Sequence, residues 1–131
     1  MKEPFIGMSA TATRVVDETM LAATVGSGSL KVFATPMMAA LMEEAACTVL
    51  APFLEEGETT VGTELNIRHT AASPQGIRII AEATITAVNG REISLDVTAR
   101  DSVGEIGSGT HKRFVVDAAR FQSKTDARGQ G

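Results

Sequence analysis

From Gly76 to Asn89 the chain alternates: Ile77, Ile79, Ala81, Ala83, Ile85 and Ala87 share one face, while Arg78, Glu82, Thr84 and Thr86 take the other, where Ile80 and Val88 are apolar exceptions. A period of two predicts a half-buried strand. Asn89-Gly90 follows, the strongest short hairpin signal a sequence offers. Ile93, Leu95, Val97 and Ala99 then alternate with Glu92, Ser94, Asp96 and Thr98. A turn from Asp101 to Gly104 leads into a strand over about Glu105 to Val116. Upstream, Thr60 to Thr70 reads as a strand with Val61, Leu65 and Ile67 on one face, and Ser9 to Val16 as the first strand.

One segment has a different rhythm. Thr35-Pro36 is a helix-start signal, a hydroxyl able to cap followed by proline at the first helical position. No Gly or Pro interrupts Met37 to Ala51, and Pro52 ends it. At 100° per residue, Met38, Leu41, Met42, Ala45 and Val49 lie on one face, and most remaining positions are apolar too. A helix hydrophobic almost all round is a buried helix. The reading is α+β: one long central helix wrapped by a curled antiparallel sheet of about five strands. Residues 1–117 form the domain and residues 118–131 a polar, frayed C-terminal tail. Gly26-Ser27-Gly28-Ser29 predicts a flexible loop before the helix.

Composition narrows what such a domain does. The chain has 131 residues, 44% of them apolar, and a net charge of -4, which disfavours a nucleic-acid binder. Trp and Tyr are absent, removing most stacking platforms. With one cysteine, Cys47, and two histidines, His69 and His111, neither a disulfide nor a metal site is well supplied. The N-terminus lacks the apolar block of a signal peptide, and the longest uncharged run, Thr19 to Leu30, is too short to span a bilayer. These features lead us to expect a soluble cytoplasmic protein with no membrane attachment.

A few residues break the pattern. Glu43 and Glu44 sit within the most apolar helix, where an unpaired buried carboxylate is expensive, so each needs a partner or a route to water. Helical geometry favours Glu43 only slightly as the desolvated one. Counting by twos, His69 continues the face of Val61, Thr63, Leu65 and Ile67, at the end where a core gives way to a cleft. His111 shares a face with Gly107, Gly109, Arg113 and Val115 and reads as structural. Thr35 reads as an N-cap at the positive end of the helix dipole, with free N–H donors beginning at Met37 because Pro36 has none. Gly62 marks a bulge or a close approach of the backbone. Cys47 has no positive neighbour and reads as packing.

Taken together, Val32-Phe33-Ala34-Thr35 leading into Leu41-Met42-Glu43, Gly62-Thr63 running to His69-Thr70-Ala71-Ala72, and Glu105 to His111 resemble the hotdog-fold acyl-CoA thioesterases, in the fluoroacetyl-CoA thioesterase-like group. The resemblance spans about Val32 to Phe121. It implies a catalytic set of Thr35, Glu43 and His69, with Gly62 as a backbone element near the thioester. Selective members carry phenylalanines in a lid segment before the helix. The nearest positions here are Gly26 and Ser29, so selectivity for the fluorinated acyl group is not expected, and the expected substrate is a small acyl-CoA of unassigned chain.

On that reading Glu43 is general base for water or direct nucleophile. His69 orients it or protonates the departing sulfur, and Gly62 N–H with the helix start holds the oxyanion. No metal or separate cofactor is expected; coenzyme A enters as part of the substrate. Thr35 and Glu43 are eight residues apart, a rise of roughly 12 Å on one helix, too far for two short side chains to bridge. The expected site is therefore composite, shared by two protomers of a homodimer or larger assembly, because hotdog proteins typically pair their post-helix strands across a two-fold.

Residues 1–103 carry 7 basic and 13 acidic side chains, whereas residues 104–131 carry 5 and 3. Lys112, Arg113, Arg120 and Lys124 are thus candidates for the CoA phosphates. Two rivals remain. A hotdog enoyl-CoA hydratase would show an Asp/His pair, where His69 is instead followed by Thr70-Ala71-Ala72. A non-catalytic acyl-CoA-binding or sensing module would gain nothing from Glu43 beside an acyl chain.

Overall fold

The computed structural model describes residues 1–130. Five strands, β1 (Ser9–Val15), β2 (Glu58–His69), β3 (Arg78–Asn89), β4 (Glu92–Arg100) and β5 (Glu105–Asp117), form one antiparallel sheet in the order β1-β3-β4-β5-β2. The helix α2 (Thr35–Leu50) lies on its inner face, reached through a short helix α1 (Ala22–Val25). Met38, Leu41, Met42, Ala45 and Val49 are all buried, packed with Ile79, Ala81, Ala83 and Ile85 of β3 and Ile93, Leu95, Val97 and Ala99 of β4. Both periodicities therefore bury the faces they predict.

The wrapping is one-sided. Pro36, Ala40, Cys47 and Thr48 remain exposed, so a stripe of α2 lies open along the chain's surface. β2 closes the sheet as an edge strand, with β5 its sole neighbour in the strand order.

Two bulges revise the predicted faces. In β2 the register slips between Gly62 and Glu64, so Thr60, Gly62, Leu65, Ile67 and His69 oppose Val115, Arg113, His111, Gly109 and Gly107. Val61 and Thr63 therefore leave the face on which the alternation put them, because the extra residue reverses the parity. A second slip between Ile85 and Ala87 exposes Ala87 and turns Val88 toward the core, which accounts for the apolar exception in the sequence.

Two segments are more ordered than their composition suggests. Residues 22–32 fold back on themselves, with Ala22 N–H bonded to Val32 C=O and Ala23 N–H to Leu30 C=O, around Gly26 at φ 84°. The predicted frayed tail is helical: α3 runs from Ala118 to Gln130, with Gly131 outside the described residues. Asp117 caps it by accepting from Arg120 N–H, and Gln122 bonds Asp126 one turn on. It buries no residue, so it leaves no hydrophobic period to detect.

Candidate active site

The first turn of α2 meets the last residue of β2. Thr35 Oγ1 and His69 Nδ1 are 2.7 Å apart. Ala34, not Thr35, is the N-cap residue, and it makes no side-chain cap. The hydroxyl expected to cap the helix has instead a partner across the cleft. Ala34 C=O also accepts from the Met37 and Met38 N–H groups, so the donors expected to begin at Met37 are occupied.

Phe33, almost fully buried, meets the His69 ring edge to face at 6.5 Å between centroids. His69 Nε2 is buried with no hydrogen-bond partner among the described residues. Burial holds the imidazole pKa below its ordinary value, against a smaller opposing pull from the Ala71 backbone, so the ring is neutral at pH 7. Thr35 and His69 line a cavity of about 410 Å³ whose walls include Ser27 to Leu30 on one side and Thr70 to Ala72 on the other.

Two turns along α2, a second cluster forms around Glu43. The paired acids part in direction, not in burial: Glu44 turns outward to Arg14 at 2.5 Å and Glu43 turns to the sheet, yet both side chains are equally exposed, so neither is the desolvated one expected of the apolar helix. Its Oε2 lies 3.4 Å from an Arg113 terminal nitrogen and 4.0 Å from His111 Nε2. The carboxylate is half-exposed in the single chain, with 42% of its side chain accessible. Gly62 explains the approach: a Cβ there would stand 2.8 Å from Glu43 Oε2 and 3.2 Å from the Arg113 nitrogen. The glycine thus marks both a bulge and a close approach, here of the carboxylate.

Arg113 is a correction to the expected phosphate contact. Its guanidinium is buried, donating from Nε to Thr60 Oγ1 at 2.9 Å and from Nη2 to Thr60 C=O at 3.0 Å. An Arg so satisfied points at the protein interior, not at a CoA phosphate. Lys112 lies half-buried on the opposite face of β5. Arg120 and Lys124 line a separate groove of about 430 Å³ between β5 and α3, beside Phe114 and Phe121. No lining residue is common to that groove and the Thr35–His69 cavity.

His111 and Thr60 are the site residues that sequence reasoning undervalued. The signal was present: two titratable residues, His111 and Arg113, stand two apart on the inward face of a strand, opposite a glycine. Among the described residues no group of three or more His, Cys, Asp or Glu side chains could hold a metal ion. No helix among them is long and apolar enough to cross a membrane.

A central helix lying along a curled antiparallel sheet in this strand order is the hotdog architecture, and with the relatives that share it the chain is a thioester hydrolase of that fold. Structure comparison agrees. The fluoroacetyl-CoA thioesterase FlK superposes with a TM-score of 0.90 over 96% of this chain and 98% of its own, at 36% identity. A Thermus thermophilus thioesterase superfamily member gives 0.91 over 99% and 96%, at 27% identity. The fluoroacetyl-CoA thioesterase of Streptantibioticus cattleyicolor is 46% identical over 72% of this chain and 68% of its own. Residues 16–119 match the family described as fluoroacetyl-CoA-specific thioesterase, and the chain belongs to that family.

Proposed function

We propose that this protein hydrolyses a small acyl-CoA thioester at a site assembled from two copies of the chain, using Glu43 of one copy with Thr35 and His69 of the other. One observation carries the reading: Glu43–Gly62 and Thr35–His69 form two separate clusters, flanking the midpoint of an edge strand. If two β2 edges pair antiparallel about a two-fold midway between Gly62 and His69, each Gly62 comes opposite the His69 of the second copy. The open stripe of α2 would be covered by the same association. A homodimer follows from this arrangement.

Chemically the parts are complementary. A thioester needs an activated oxygen, donors for the oxyanion, and a leaving group; a thiolate leaves readily, since free thiols ionise near ~8.5. Glu43 activates the attacking oxygen. With Nδ1–H of neutral His69 donating to Thr35 Oγ1, the Thr35 proton is free to point at the thioester oxygen, and Gly62 backbone supports the same region. The reaction calls for no separate metal or prosthetic group, and coenzyme A is carried by the substrate. A relative of this fold has been solved as a threonine-to-serine variant with acetyl-CoA and as a phenylalanine-to-alanine variant with fluoroacetate and CoA. Here the loop side of the cavity carries Ser27, Gly28 and Ser29 with no aromatic side chain, Phe33 standing beside His69 on the wall away from that loop, which supports a small acyl group without fluorine selectivity. We assign Lys112 and Arg120 a steering role toward the CoA phosphates, and the cytoplasm as the compartment, in keeping with a single free cysteine.

Free-thiol release from a panel of acyl-CoAs tests the reading. Wild type should turn over a short acyl-CoA, and Glu43→Gln and His69→Ala should each lose at least ~100-fold in kcat. Binding without thiol release would support a sensor, and hydration of an enoyl-CoA a hydratase; either overturns the reading.

A further inference from the structure

His111 is a buried titratable group that hydrolysis as described above does not use. Its Nδ1 lies 2.8 Å from Glu64 C=O, at the β2 bulge. A carbonyl only accepts, so Nδ1 carries the proton, and in the neutral ring Nε2 is left with a lone pair. That lone pair has a donor: Arg113 Nη1 at 3.2 Å. Burial first, and the neighbouring Arg113 charge as well, hold the imidazole pKa below its ordinary value and keep the ring neutral, outweighing the Glu64 carbonyl and Glu43.

Nη1 therefore serves two acceptors. One proton goes to His111 Nε2, and the other points toward Glu43 Oε2 at 3.4 Å. Thr60 fixes the opposite edge of the guanidinium through Nε and Nη2. The fork that would grip a carboxylate with two parallel bonds is thereby divided between a hydroxyl, a backbone carbonyl, an imidazole and one long contact to Glu43. A carboxylate clamped in a bidentate pair would be a weak base; one held at a single oxygen keeps the other free for chemistry.

Resting on the reading of Glu43 above, we propose that His111 is a positioning residue for hydrolysis: by accepting from Arg113 it confines that arginine to a single-point contact with Glu43. Glutamine and asparagine divide the two functions of the ring. A Gln carboxamide oxygen reaches the place of Nε2 and can accept from Arg113, whereas an Asn amide nitrogen reaches the place of Nδ1 and can only serve the Glu64 carbonyl.

The test compares kcat, KM and Tm of untagged wild type, His111→Gln, His111→Asn and Glu43→Gln in the thiol-release assay. His111→Asn should lose about 10- to 100-fold in kcat with KM within ~threefold, and His111→Gln should recover kcat to within ~threefold of wild type. Equal losses in both that follow their losses in Tm, or full kcat in His111→Asn, overturn the proposal. Full turnover by Glu43→Gln overturns the function reading instead. Should His111→Asn not fold, 15N-histidine NMR of wild type decides, because only two histidines are present. The His111 ring should be the Nδ1–H tautomer at pH 7, and an Nε2–H ring contradicts the inference.

Discussion

Thr35 Oγ1 and His69 Nδ1 stand 2.7 Å apart and tie the start of the central helix to the end of the edge strand. What the pair needs is a hydroxyl, not a particular side-chain volume. Thr35→Ser keeps that hydroxyl and should hold kcat within about tenfold, while Thr35→Ala should lose about 100-fold or more. Steady-state thiol release on the two variants checks this; similar losses in both would remove the hydroxyl from the mechanism.

Gly62 is a glycine because of Glu43. Gly62→Ala sets a methyl 2.8 Å from Glu43 Oε2, and the flexible acid, not the strand, gives way. The expected result is a loss of about 10- to 100-fold in kcat, with Tm lowered by less than about 4 °C. Thermal denaturation beside kinetics separates this from simple destabilisation.

The architecture was legible because it rests on periodicity. Ile79 to Ile85 and Met38 to Val49 declare their faces by spacing alone, and the structure buries them. Bulges have no such signature, and one extra residue in β2 moved Val61 and Thr63 off the face of His69, although Leu65, Ile67 and His69 kept theirs. The Val88 exception was the one visible trace of the second bulge. Arg113 was misread because a sequence reports charge and not direction; Thr60, His111 and Glu43 turn it inward from three different elements. For Thr35 the local rule, capping, lost to a tertiary partner that helix signals cannot contain.

Acid stability should fall from two sources, the first setting in at a higher pH than the second. His69 and His111 both have pKa values lowered in the folded state, chiefly by burial, so below about 6.5 the unfolded chain binds protons that the folded chain refuses. Stability therefore drops as pH falls from about 6.5 toward the lower folded values. Glu58 acts in a lower window. The Glu55 N–H first, then Arg91 and the N-terminal ammonium, bring its pKa from 4.5 to about 2, a stabilisation present above 4.5 and lost as pH falls toward 2. Urea denaturation from pH 8 to pH 3 should give a shallower upper slope in His111→Gln and a shallower lower one in Glu58→Gln.

Mixing two inactive variants tests the shared site most directly. Glu43→Gln and His69→Ala are each predicted to be inactive alone. After unfolding and refolding together, half the dimers should be mixed and each should hold one intact site, restoring about a quarter of wild-type thiol release. If the two residues serve one site within a single chain, every site in the mixture keeps a defect, and activity that stays at the level of the separate variants would contradict the account.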